Sequence, residues 1–361
     1  MRQSPALSGI PDLNIPIIQA PMAGADSAEL AAAVSAAGGL GSIGAATHSA
    51  ESLSATVSAI REQTSRPFNL NFFCHSDPSP DPAREARWLA QLAPYYAELG
   101  ATPPETLDGG RAPFGDESCA LVENLRPAVV SFHFGLPPES LMTRVRKAGA
   151  FILASATTPT EARWLASRGV DAIIAQGSEA GGHRGVFAED WRTGSGMIGT
   201  MALVPLIVDV VSLPVIAAGG IADGRGVAAA LALGAAAAQI GTAYLATPEA
   251  GISEDHRTAL FAAPAEDIVV TNVVSGRPAR GVANRLVREM GPISEEAPEF
   301  PRGVPAVAPL RRAAEASGSV EFSPLWAGQA APLSRRMPAG ELTKTLWSEA
   351  QAALTAFCGV R

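Results

Sequence analysis

The chain alternates short, almost wholly apolar runs with longer stretches in which apolar residues recur at helical spacing. Eight apolar runs stand out, over residues 15–22, 40–46, 68–74, 128–135, 151–157, 171–177, 214–220 and 237–245. Most are bounded by Gly, Pro or polar residues. Runs of that length and kind predict parallel strands covered on both faces. Between them lie helix candidates at 27–37, 51–63, 138–148, 160–168, 201–211 and 226–233. Ser27 suits an N-cap, Gly38-Gly39 stop the helix that it opens, and Gly169 and Gly234 follow two others as C′ residues. Eight strands with intervening helices predict an α/β protein, a (β/α)8 TIM barrel. A doubly wound open sheet is the alternative. It places a glycine-rich phosphate turn after its first strand, where this chain has Ala20-Pro21-Met22-Ala23-Gly24.

Two segments fall outside a minimal barrel. Residues 75–115 are rich in Pro and acids, carry Tyr95-Tyr96 and follow the third strand. That places them on the face where barrel active sites lie, as a lid-like insertion. Residues 250–336 read as a smaller cap domain, with Pro292, Pro298, Pro301, Pro305 and Pro309 in quick succession. A helix is expected over 340–357, closing against the barrel. The division expected is a barrel of residues 1–249 plus 337–361, and a cap of residues 250–336.

Composition narrows the class. Of 361 residues, 47% are hydrophobic and 17% charged, which excludes disorder for most of the chain. A net charge of −8 argues against a nucleic-acid partner, which calls for a basic stripe. Cys74, Cys119 and Cys358 are scattered, so neither a disulfide framework nor a zinc site is expected. No apolar run reaches the ~18–20 residues of a membrane span without Gly, Pro or a charge, and the N-terminus lacks a signal-peptide core. A cytoplasmic protein, monomer or homodimer, is the expectation.

The candidate chemistry gathers at the ends of the strands. Gly219 and Gly220 close the seventh run, and Gln239, Gly241 and Thr242 lie in the eighth. In barrels the loops after these strands often bind phosphate, and glycine lets backbone N–H groups turn toward it. His183 stands among glycines just after the sixth strand, where an imidazole titrating near neutral pH faces the catalytic side. His133 ends the fourth strand between Phe132 and Phe134, and projects into the barrel mouth or toward the helix layer. Asn69 and Asn71 share one face of the third strand, and buried amides need partners. His48, His75 and His256 sit in polar contexts and read as surface residues. The five histidines show no H-x-x-x-H or H-E-x-x-H spacing, so no metal is expected.

These segments together resemble the nitronate monooxygenase family, formerly called 2-nitropropane dioxygenases, in its class I branch. The similarity runs through PIIQAPMAG at 16–24, GGLGSIGAA at 38–46, NLNFF at 69–73 and SFHFGLP at 131–137. It continues with QGSEAGGHRG at 176–185, VIAAGGIADGRG at 215–226, QIGTAYL at 239–245, TNVVSGRPARG at 271–281 and WAGQ at 326–329. The resemblance covers nearly the whole chain, and SFHFG with EAGGH is its most specific part. It implies non-covalent FMN, with Ala20, Pro21 and Met22 against the isoalloxazine edge and Asn69 and Gln176 hydrogen-bonding the flavin. Gly181, Gly219, Gly220, Gln239, Gly241 and Thr242 would surround the ribityl chain and phosphate. His133 and His183 match the family's active-site histidines. The implied reaction is one-electron oxidation of an alkyl nitronate by FMN, completed by O2, to a carbonyl compound and nitrite without nicotinamide.

The resemblance implies propionate 3-nitronate as substrate, whose carboxylate calls for a cation, with Arg184 as the near candidate. The chain departs from the family in one respect. Relatives carry tyrosines and a lysine in the cap, whereas residues 250–336 contain neither Tyr nor Lys. Phe300, Phe322, Trp326 and several arginines stand there instead. The departure bears on substrate identity rather than on flavin binding. An FMN-dependent NAD(P)H reductase of quinones or enoyl thioesters on the same barrel is the alternative function, and a flavin-free phosphate-binding barrel is a third.

Overall fold

An apolar run buried on both faces must satisfy its backbone N–H and C=O groups with neighbouring strands. The computed structural model of the chain shows how. It describes residues 2–108, 111–188, 191 and 196–359, with side chains through residue 356. Among these, the strands in chain order are β1 (Ile17–Gln19), β2 (Gly41–Gly44), β3 (Phe68–Phe73), β4 (Val129–His133), β5 (Phe151–Ala156), β6 (Ala172–Gln176), β7 (Gly182–His183), β8 (Val215–Ala218), β9 (Ala237–Ile240), β10 (Ile268–Thr271) and β11 (Ala279–Val282). Eight pair in parallel in the order β1-β9-β8-β6-β5-β4-β3-β2. Leu40 bridges the remaining seam: its N–H donates to Ile17 O at 3.0 Å and its carbonyl accepts from Gln19 N–H at 2.9 Å. The result is a nearly closed α/β TIM barrel, with every barrel strand inside an apolar run expected from sequence.

The eighth run is shorter than expected. It ends at Ile240, and Thr242–Leu245 forms a single helical turn. The tail of the run turns because Tyr244 packs outward, fully buried, with its hydroxyl 2.7 Å from Thr343 Oγ1 of the C-terminal helix. That helix spans Ala339–Gly359 and packs against helices Ala28–Ala36 and Gly224–Ala232. Its first turn is anchored by Glu249, whose carboxylate accepts from Ala339 N–H at 3.0 and 3.1 Å, where a helix N-terminus favours negative charge. Inside the barrel, Ile18, Leu40, Val129, Leu153, Ile174 and Ile216 fill the base, and Leu7 and Ile10 plug it from below.

β7, β10 and β11 form a small antiparallel sheet above the barrel, in the order β10-β11-β7. The glycine-rich run after β6, read from sequence as a loop, therefore supplies a strand, with His183 opposite Ala279 and Gly182 opposite Arg280. The insertion after β3 is helical over Pro82–Leu99, capped by Asp81, whose Oδ1 accepts from Arg84 N–H at 3.0 Å. Its Trp88, Leu92 and Tyr96 share one apolar cluster with Val273, Val287, Leu310 and Phe322. A second helix, Asp116–Leu125, leads back to β4. Cys74 and Cys119 are free thiols, and the side chain of Cys358 lies outside the described ones. Among the described residues, no helix is long and apolar enough to cross a membrane.

Candidate active site

The C-terminal ends of the barrel strands open into a cavity of about 530 Å³. Sites for small molecules and cofactors are typically ~300–1,000 Å³. Ala20, Pro21 and Met22, just past β1, form part of its wall. Asp26 fixes their turn: its Oδ2 accepts from Met22 N–H at 2.9 Å and from Gly44 N–H at 2.6 Å. Burial pushes the Asp26 carboxyl up to about 7, and its Oδ1 has no partner among the described residues.

Across the mouth, Gly219 and Gly220 turn with φ of +110° and +69°. A Cβ on Gly219 would sit 3.0 Å from Ala180 N and 3.1 Å from both Gly177 O and Thr200 Oγ1, so a side chain fits there only if its neighbours give way by a few tenths of an ångström. Gln239, Gly241 and Thr242 continue the wall. Gln239 Oε1 is buried and unpartnered, whereas Thr242 Oγ1 accepts from Gly328 N–H at 2.8 Å. Gly181 lines the cavity and lies against Ala327-Gly328.

Two expected residues have other duties. Gln176 lines the cavity, but its amide already serves the backbone: Oε1 accepts from Gly185 N–H at 2.7 Å and Nε2 donates to His183 O at 3.0 Å. Asn69 is fully buried below the floor, where Nδ2 donates to Ser42 Oγ at 3.1 Å and to Ser131 Oγ at 2.9 Å, and Oδ1 has no partner. Asn71, on the same strand face, reaches the cavity instead and donates to Ser131 Oγ at 2.9 Å.

His133 projects into the mouth, not into the helix layer. Its Nε2 faces His183 O at 3.1 Å, and a carbonyl only accepts, so Nε2 carries the proton. Nδ1 then accepts from Ser155 Oγ at 2.8 Å. Gly185 makes the space for this ring: a Cβ there would lie 2.8 Å from His133 Cε1. His183 Nε2 lies 2.9 Å from Ser275 Oγ, which donates onward to Arg277 O at 3.4 Å. With the serine proton directed there, Nε2–H donates to Ser275 and Nδ1 is the free, unprotonated nitrogen.

Burial lowers both imidazoles: His133 to about 4, and His183 well below its ordinary value. For His183 the Arg111 guanidinium is the next cause, followed by His133 and Arg277. Both rings are therefore uncharged at neutral pH. Phe73, Phe134 and Phe300 wall them in, with ring centres 6.3, 6.0 and 5.2 Å from His183.

Three readings from sequence are corrected here. Arg184 does not face a ligand. It is buried, with its guanidinium donating to the carbonyls of Gln176, Gly196 and Thr157. His75 is not a surface residue but is 4% exposed, edge-on to Phe300 at 4.8 Å. Burial and then Arg277 lower it to about 4. His256 is half-buried on the cavity wall and is likewise lowered to about 4 by burial. His48, half-exposed at the surface, fits its reading. Sequence reasoning also passed over Arg111, Ser155 and Ser275. A residue two past the end of a barrel strand, as His75 is, could have been flagged by position. Arg111 and Ser275 carry no such mark.

The family model for nitronate monooxygenase matches residues 4–349. The chain is 47% identical to a nitronate monooxygenase of Pseudomonas aeruginosa over 92% of this chain and 95% of that one. It is 46% identical to a nitronate monooxygenase of Paraburkholderia phytofirmans, over 95% and 94%. Its fold matches a nitroalkane oxidase from Streptomyces ansochromogenes with a TM-score of 0.89 at 40% identity, covering 96% of this chain and 98% of that one.

Proposed function

This chain belongs to the nitronate monooxygenase family and is an oxidoreductase, and from that premise we propose that it binds FMN and uses O2 to convert propionate 3-nitronate to a carbonyl compound and nitrite. One observation carries the reading: two imidazoles held uncharged, His133 and His183, stand at the mouth of a barrel whose opposite wall is bare glycine backbone.

The residues present fit a flavin. The cavity of about 530 Å³ is large enough for a flat ring system with a phosphorylated tail. The backbone at Gly219, Gly220 and Gly241 offers N–H groups without side chains in the way, as a phosphate requires. Gln239 Oε1, buried without a partner, is an acceptor waiting for a donor on the ligand. Ala20, Pro21 and Met22 would lie along the ring edge. At depth, Asn71 rather than Asn69 would meet it, because Asn69 lies beneath the floor.

When bound, FMN supplies the electron acceptor for the nitronate and the partner for O2. The chain's own part is different. His183 presents an unprotonated Nδ1 to the cavity, able to orient the nitronate, or to take the α-proton when the neutral nitroalkane form enters and so generate the nitronate in place. Its Nε2–H is held by Ser275, so the ring cannot swing freely. His133 braces the backbone of His183 from below. Phe73, packed on Phe134 and Phe300, gives the cavity an apolar wall on the side of the two histidines, which would disfavour water there.

The test is oxygen uptake by one flavin-loaded preparation, with propionate 3-nitronate and with NADPH in parallel. Nitronate-dependent uptake with nitrite release, and no need of NADPH, is expected. Rapid NADPH oxidation without nitronate turnover would overturn the reading in favour of a reductase. A colourless protein that cannot be reconstituted with FMN would overturn the flavin itself.

A further inference from the structure

We infer that Arg111 is the specificity-determining residue that receives the carboxylate of an acid-bearing nitronate, an inference that rests on the nitronate reading above. Arg111 lines the cavity at the end of the insertion that follows β3. Its guanidinium carbon lies 5.7 Å from the centre of the Phe73 ring, and that ring is 6.3 Å from His183. Arg111 and His183 thus flank the same ring, and the cation is close enough to disfavour the charged form of the imidazole.

What sets Arg111 apart is the want of an acceptor. Among the described residues its guanidinium makes no hydrogen bond and no ion pair. The other arginines around the cavity are engaged. Arg311 donates to Glu315 at 2.7 Å, Arg277 to Val186 O, and Arg184 to Gln176 O. Arg280 donates to Ser178 O at 2.9 Å and to Ile268 O at 2.7 Å. Of the acids on the cavity wall, Glu315 is engaged by Arg311 and accepts from Ser323 Oγ at 2.7 Å, and neither it nor Asp255 makes an ion pair with Arg111. A half-buried cation with no counter-charge is costly to hold in a folded protein. An anion from outside would supply the missing counter-charge.

The form of the group narrows the anion. A guanidinium offers a planar fork that pairs with a carboxylate through two parallel hydrogen bonds. Arg111 lies at the end of the insertion, over Phe73, and not among Ala20–Met22 and Gly219–Gly220, where the flavin is proposed to lie. It would therefore meet the end of the substrate that points away from the flavin. Phe73, which lines the cavity and is backed by Phe134 and Phe300, supplies the apolar contact that a short methylene spacer needs between the two charged ends. His183 and His133, both uncharged, cannot supply the counter-charge.

Arg111→Met and Arg111→Lys test the inference on flavin-loaded enzyme, with propionate 3-nitronate compared against propyl 1-nitronate, which lacks the carboxylate. A hydrogen-bonded charge contact is worth about 10–100-fold in binding. The preference for propionate 3-nitronate, as a ratio of kcat/KM values, should fall by about that factor in Arg111→Met, through KM rather than kcat. Arg111→Lys should recover part of it. Calorimetric titration with plain propionate should show the same order of affinity: wild type, then Lys, then Met. Equal losses on both nitronates, or an unchanged ratio, would overturn the assignment. If wild type turns over neither nitronate, the functional reading fails, and the propionate titration alone decides the role of Arg111: equal binding by wild type and Arg111→Met refutes it.

Discussion

The ring of His133 is hydrogen-bonded not to the ring of His183 but to its backbone carbonyl, at 3.1 Å, and Gln176 Nε2 reaches the same oxygen at 3.0 Å. Two donors from β4 and β6 thus pin the main chain of β7, a strand of two residues that otherwise pairs only with β11. The imidazole of His183 is left to face the cavity. The two histidines have different tasks: one presents a base, the other fixes where that base stands.

His183→Ala should then cost about 10²–10⁴-fold in nitronate turnover, the range for a lost acid–base group. The flavin absorption spectrum should survive, since the ring touches none of the glycine backbone at residues 219–220. Turnover near the wild-type rate in this variant would remove His183 from the chemistry.

Ser275→Ala isolates the tautomer. In the wild-type protein the Ser275 hydroxyl oxygen accepts a hydrogen bond from His183 Nε2–H at 2.9 Å and so keeps the proton on Nε2, leaving Nδ1 free. Without it the proton can sit on either nitrogen, and the productive form becomes a fraction of the whole. A net hydrogen bond of about 1 kcal/mol predicts a loss of roughly five- to tenfold in kcat, with KM and flavin content unchanged. A change in KM alone would mean that Ser275 touches substrate and does not hold the imidazole.

The barrel was legible because parallel strands covered on both faces leave continuous apolar runs. β3 and β5 fill all but one residue of the spans 68–74 and 151–157 read from sequence. The glycine turn after β8 was legible because glycine readily adopts the positive φ found at Gly219 and Gly220. The upper half was not. Its core joins Trp88 to Phe322, residues that no local period connects, and the helix carrying Trp88 contains Pro94, which breaks the helical signal. Arg184 misled because adjacency to His183 says nothing of direction. The extended backbone of β7 carries on into Arg184, whose N–H donates to Pro278 O at 2.8 Å, and neighbours on such backbone alternate, so when His183 faces the cavity Arg184 turns toward the carbonyls of Gln176 and Gly196.

Stability should fall on mild acidification. His75, His133 and His256 have folded values of about 4, below the ordinary 6.5, because burial disfavours their charged forms. Between pH 6.5 and 4 the unfolded chain binds protons that the folded one refuses, so their contribution is full above 6.5 and is lost toward 4, by at most about 1.4 kcal/mol per pH unit for each. Asp26 has the opposite sign. Its folded value is about 7 against an ordinary 3.8, so its contribution is lost as pH rises across that interval. Chemical denaturation at steps from pH 7.5 to 4.5 should show a falling midpoint. Asp26→Asn, which removes the opposing group, should make the fall steeper. A midpoint independent of pH would contradict the burial of these histidines.

Gly219→Asp should release FMN. The position has φ of +110°, and a Cβ there would press on Ala180 N, Gly177 O and Thr200 Oγ1 at 3.0–3.1 Å. Any side chain therefore strains the turn, by ~1–3 kcal/mol for backbone held in such a region. Aspartate adds a second effect, a carboxylate set beside the backbone N–H groups proposed to hold the phosphate, where like charges repel. Gly219→Ala carries the strain without the charge and separates the two. The flavin-to-protein absorbance ratio after gel filtration should fall modestly in the alanine variant and much further in the aspartate variant, and added salt should narrow the gap by screening. Equal loss in both would leave only steric strain at Gly219, and full retention in both would move the phosphate away from β8.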